Sequence, residues 1–91
     1  MVDEDIVAVV RDYLSVLVTR GIVADFAVVF GSTARGRSDQ WSDIDLVVVS
    51  RHFDGDYERS SVNQLWRAAA RVDSRIEPIP CGPGEWRQES P

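Results

Sequence analysis

Apolar residues recur at spacings of three and four from Asp3 to about Arg20, at Ile6, Val10, Tyr13, Leu14 and Leu17. That period predicts a helix, with Asp3 as its N-cap and Gly21 as its stop. Val9, Val16 and Val18 widen the stripe, so the helix should be largely covered. The period then changes. Residues 25–30 (Asp-Phe-Ala-Val-Val-Phe) and 44–49 (Ile-Asp-Leu-Val-Val-Val) form short, nearly continuous apolar runs. Such runs predict strands covered on both faces, and the first should be central in a sheet flanked by helices. Asp45 alone interrupts the second.

Gly31 ends the first strand. Ala34-Arg35-Gly36 reads as a short helical turn before a polar loop, Arg37 to Ser42. His52 to Tyr57 reads as a loop with a turn at Asp54-Gly55. Asp56 is then a candidate cap for a second helix, with Val62, Leu65, Trp66, Ala69 and Val72 inward and Arg59, Gln64, Arg67 and Arg71 outward. A third strand is expected from about Ser74 to Ile79, and Pro78 assigns it to a sheet edge or to the end of pairing. Residues 81–91 form a Pro/Gly-rich tail in which Pro83-Gly84-Glu85-Trp86 opens one helical turn. The order helix, strand, turn, strand, helix, strand predicts a small α/β (α+β) fold.

Composition narrows the chemistry. Ninety-one residues suit one domain. No apolar run approaches the roughly 20 residues of a membrane helix. The acidic start, Met1 to Asp5, lacks the basic region of a signal peptide, so a cytoplasmic protein with no membrane partner is expected. Cys81 is the single cysteine, which excludes an internal disulfide and a cysteine zinc site. The net charge is −5, from 15 acidic and 10 basic residues. That balance argues against long nucleic acid as the substrate, but a small nucleotide remains compatible, because a bound divalent ion offsets its charge. The chain has no lysine, so a Walker phosphate loop is absent.

Asp43 and Asp45 are one residue apart, so in a strand they share a face at about 7 Å. The commoner fate of an isolated Asp-x-Asp is a solvated strand edge. Here Asp45 intrudes on an apolar run, and a divalent cation would resolve that conflict. Magnesium takes hard oxygen ligands, often one or two carboxylates plus substrate phosphate. Glu77 supplies a third acid if its strand pairs beside the second. Alone it reads as a solvated edge residue. Gly31 allows close backbone approach to a phosphate, and Ser32 adds a donor. Arg35 either contacts phosphate or pairs with Asp39 or Asp43. His52 reads as a surface residue at a strand end. Trp66 and Trp86 read as packing residues, whereas Trp41 sits just before the acidic pair.

Gly31-Ser32, ten intervening residues and Asp43-x-Asp45 together resemble the signature of the DNA polymerase β-like nucleotidyltransferases. The fuller form, Gly-Ser-Thr-Ala-Arg-Gly followed by Ser-Asp-Ile-Asp-Leu, is similar to the minimal nucleotidyltransferases often paired with a HEPN protein. The resemblance covers roughly residues 5 to 80. It implies a nucleotidyltransferase domain over residues 1–80, with a mixed β-sheet of three or four strands packed with helices. The tail 81–91 is then either a shortened end of that domain or a segment that docks on something else. It also implies two Mg²⁺ ions at Asp43, Asp45 and Glu77, and ATP with its triphosphate near Gly31, Ser32 and Arg35. In the antitoxin branch, AMP passes to a tyrosine of a HEPN-type toxin. Many relatives have Asp where this chain has Glu77, and a further helix and short strand where it has only the tail.

Three functions follow in order: an AMP-transferring antitoxin, a catalytically weak or inactive module that masks its partner, and an antibiotic-modifying transferase.

Overall fold

The computed structural model describes residues 4–30 and 43–89. The first helix, α1, spans Glu4–Thr19. It ends where the sequence places its stop. Gly21 takes φ +87°, and the N–H groups of Gly21 and Ile22 bond the carbonyls of Val18 and Leu17 at 3.1 and 3.0 Å. This pairing satisfies two orphan carbonyls and turns Ile22 into the core. The expected cap, Asp3, lies outside the described residues. Val9 and Val16 pack against the core, but Val18 is 56% exposed and does not extend the buried stripe.

Strands β1 (Phe26–Phe30), β2 (Ile44–Val49) and β3 (Ile76–Cys81) form one sheet in the order β1-β2-β3. The β1–β2 pair is antiparallel and the β2–β3 pair parallel. The sheet is therefore mixed, and the fold is the small α+β type that the element order predicts. The central strand is β2, so the expectation that β1 lies centrally is corrected. β1 is an edge, with Phe26 and Phe30 exposed. An unbroken apolar run signals burial on both faces, but among the described residues no long helix lies over one face of β1.

β3 begins two residues later than its pattern suggests and lies at the other edge. Its prolines explain the position. Arg75 and Cys81 accept bonds from β2's side through Ile44 N–H and Ser50 N–H. By alternation, the nitrogens of Pro78 and Pro80 face away from β2, where no ladder bond is lost.

A 3-10 turn, Arg51–Phe53, leads to α2, Arg59–Val72. Asp56 does not cap α2. Glu58 occupies the cap position, without a side-chain cap bond. The delay has a packing cause: the Tyr57 ring meets buried Phe53 edge-on at 5.1 Å. Leu65, Ala68 and Ala69 are buried on α2, whereas Trp66 is half exposed and lies off the stripe. Small alanines let α2 approach closely, and the Tyr13 hydroxyl of α1 donates to the Leu65 carbonyl at 2.9 Å. Burial pushes the Tyr13 hydroxyl well above the usual tyrosine range.

The core joins both helices to one sheet face. Ala27, Val29, Ile44, Leu46, Val48 and Ile76 meet Ile6, Tyr13, Leu17, Leu65, Ala68 and Ala69 there. The tail carries a further helix, α3 (Pro83–Glu89), longer than the single turn expected. Trp86 finds its partner upstream, meeting Phe26 edge-on at 5.7 Å.

Candidate active site

Because α1 and α2 share one face of the sheet, the register fixes what the opposite face presents. Three rows cross it: Phe30, Asp45 and Glu77; then Val28, Val47 and Ile79; then Phe26, Val49 and Cys81. The last row lies nearest α3, and its Val49 and Cys81 are buried. The first row carries the acids. Asp45 and Glu77 are direct partners across the parallel pair. Asp43 immediately precedes β2, two residues from Asp45, and is exposed, as is Glu77; Asp45 is half-buried.

The carboxylates interact. Glu77 is held above the usual glutamate range, first by the negative charge of Asp43 and then by partial desolvation. A side-chain hydrogen bond with Asp45 and that residue's charge add to the shift. Like charges on one patch favour the protonated form of one member. This is the physical conflict that the intrusion of Asp45 into an apolar strand foreshadows.

As the side chains stand, no group of three or more Asp, Glu, His or Cys among the described residues is gathered to hold an ion. Magnesium does not require such a cage, since it often binds one or two carboxylates and completes its shell with water and substrate phosphates. The paired oxygens of Asp45 and Glu77, with Asp43 beside them, fit that donor chemistry. A cation would also relieve the repulsion that raises Glu77.

Gly31, Ser32 and Arg35, together with Gly36, Asp39 and Trp41, lie outside the described residues. The chain enters that segment at Phe30 and leaves it at Asp43, and Phe30 is in register with Asp45. The described residues on either side of that segment, Phe30 and Asp43, thus lie in the acid row and next to it.

Sequence reasoning missed the apolar surface beside the acids. Phe30 and Ile79 are 38% and 42% exposed. The available signal was the helical patterning, because the two long helices among the described residues, α1 and α2, cover the same face of the sheet.

Among the described residues, no helix is long and apolar enough to cross a membrane. A family model described as "Nucleotidyltransferase domain" matches residues 7–80, from α1 through nearly all of β3. No curated protein and no solved structure matches the chain.

Proposed function

The chain belongs to the nucleotidyltransferase domain family, and from that premise we propose that it transfers AMP from ATP to a hydroxyl group of a partner protein. We take the partner to be a HEPN-type toxin, the acceptor one of its tyrosines, and the protein its antitoxin. The observation that carries the reading is the registered pair Asp45 and Glu77 on neighbouring strands, with Asp43 two residues before Asp45.

In this mechanism, Asp43, Asp45 and Glu77 would hold two magnesium ions. When bound, the ions supply charge neutralisation for the triphosphate and the leaving pyrophosphate. Gly31 and Ser32 offer donors to the phosphates, and Arg35 adds positive charge. The acceptor oxygen attacks the α-phosphorus, and the bond from that phosphorus to the β-phosphate bridging oxygen breaks. Pyrophosphate leaves with the electron pair, and the hydroxyl proton passes to a carboxylate of the acid row. No histidine is needed.

The exposed apolar rows beside the acids suit a protein acceptor, whose own side chains would cover Phe30 and Ile79. They also favour a second reading, a module that neutralises its partner by masking. Transfer to a small antibiotic ranks lower, since that activity calls for additional acceptor-binding structure.

The test is incubation with α-labelled ATP, Mg²⁺ and host lysate, beside the Asp43→Asn/Asp45→Asn variant. A labelled protein band seen only with wild type is expected. Equal labelling with both proteins overturns the role of the acids. Tight partner binding without label, retained by the variant, selects the masking module.

A further inference from the structure

A second cluster of reactive groups lies beyond the other end of β2. The hydroxyls of Tyr13, Ser15, Thr19 and Ser50 all donate to backbone carbonyls. Two serines in the first turn of α2 instead meet titratable side chains. Ser60 donates to Glu58 Oε2 at 3.1 Å, and Ser61 Oγ lies 2.7 Å from His52 Nε2. With the ring proton on Nδ1, His52 accepts the Ser61 hydrogen bond, the arrangement of a nucleophile with its base. The His52 ring is steadied edge-on by Phe53 at 5.4 Å.

The dyad is accessible. His52, Ser60, Ser61 and Gln64 line a surface concavity with Arg20 and Gly21. Arg20 Nη1 donates to Gln64 Oε1 at 2.9 Å, which fixes the guanidinium on the same wall. An activated hydroxyl beside an anchored guanidinium suits attack on a phosphate.

We propose that Ser61 is itself an acceptor of nucleotidyl transfer, activated by His52 and modified in trans by a second copy of this chain. The inference rests on the proposed activity of the acid row. It requires two copies because β2 separates the sites: at about 3.3 Å per residue, Asp45 to Val49 alone spans roughly 13 Å, and His52 lies three residues further. Ser61 Oγ attacks the α-phosphorus of a nucleoside triphosphate held by the other copy. The bond to the β-phosphate bridging oxygen breaks, pyrophosphate leaves, and the Ser61 proton passes to His52 Nε2. The product is a serine phosphodiester whose remaining negative charge faces Arg20.

The test uses the full chain with α-labelled ATP and Mg²⁺, followed by peptide mapping. Label on Ser61 of the wild type is expected, at a rate per chain that rises with protein concentration. Ser61→Ala and His52→Ala should each lose at least 10-fold of it, while Ser61→Ala still labels lysate protein. A mixture of Asp45→Asn chains with Ser61→Ala chains should label the Asp45→Asn chains, although neither does so alone. Label on another residue, or a rate per chain independent of concentration, overturns the proposal. An unlabelled chain beside a labelled lysate protein overturns it alone. No labelled protein of any kind overturns it together with the underlying activity.

Discussion

Gly82 joins β3 to α3 at a point where a side chain has no room, and its replacement by alanine tests how the tail is held. A Cβ there would collide with Asp54 Oδ1 and come within 2.9 Å of the Asp54 Cα. The carboxylate is engaged, because Oδ1 accepts the Gly84 N–H at 3.2 Å. The backbone beneath it is held by the bond from Asp54 N–H to the Arg51 carbonyl at 3.1 Å. Neither yields cheaply, so Gly82→Ala should cost about 1–3 kcal/mol, the usual range for overpacking a tight site. For a domain of this size, that lowers Tm by roughly 5–20 °C. Thermal unfolding followed by circular dichroism reads it. Two controls separate the cause. Gly84→Ala, whose Cβ would sit 3.6 Å from Asp54 Oδ1 in ordinary contact, should not destabilise and should gain up to about 1 kcal/mol from its place in α3. Asp54→Ala removes the colliding oxygen but not the Cα; alone it should cost about 0.5–2 kcal/mol through the lost cap, and it should not rescue Gly82→Ala. A Gly82→Ala protein that melts with the wild type refutes the argument.

Tyr13→Phe should lose about 0.5–1.5 kcal/mol in denaturant unfolding through the missing bond to Leu65. The folded state raises the Tyr13 pKa, so the stability tied to its proton is intact below the ordinary tyrosine range and is lost as pH climbs above it; Tyr13→Phe should flatten that alkaline loss. Asp73 is held below the usual aspartate range, chiefly by its hydrogen bond to Arg75, with the ion pair at 2.7 Å. Its contribution, at most about 1 kcal/mol for such a surface pair, should be present above the ordinary aspartate range. It should disappear as pH falls through the folded value, so wild type and Asp73→Asn should converge in acid melts. Glu77 is raised, so stability should fall as pH rises through its titration, and Glu77→Gln should remove that slope. In a carboxyl NMR titration, Asp43→Asn should return Glu77 toward the ordinary glutamate range; an unchanged Glu77 titration contradicts the like-charge cause.

Periodicity made the helices and strands legible because burial writes itself into spacing. Ile6, Tyr13 and Leu17 mark the inner face of α1, and Leu65 and Ala69 mark that of α2. Strand order was not written there. β1 is the more continuously apolar run, yet only β2 is flanked on both sides. Trp66 and Val18 match helical spacing but fall at the margin of their stripes, where a shift of one residue decides exposure. The Asp-x-Asp spacing showed two acids on one face. That Glu77 stands directly beside Asp45 depends on the register of a parallel pair 32 positions apart in sequence, which no local pattern encodes. The clasp between Asp54 and the start of α3 was invisible for the same reason.

The prolines of β3 set a direction for the whole sheet. On the border that β3 turns away from β2, Pro78 and Pro80 have no N–H, and Ile76 N–H is already given to the Asp73 carbonyl at 3.1 Å. That margin offers carbonyls but no amide donor, so an incoming strand would find half of each rung missing. The molecule is sealed on one flank against strand-by-strand extension, whether by a neighbour, a fused segment or a misfolded copy. Any such growth must enter through β1, whose Phe26–Phe30 run contains no proline to obstruct it.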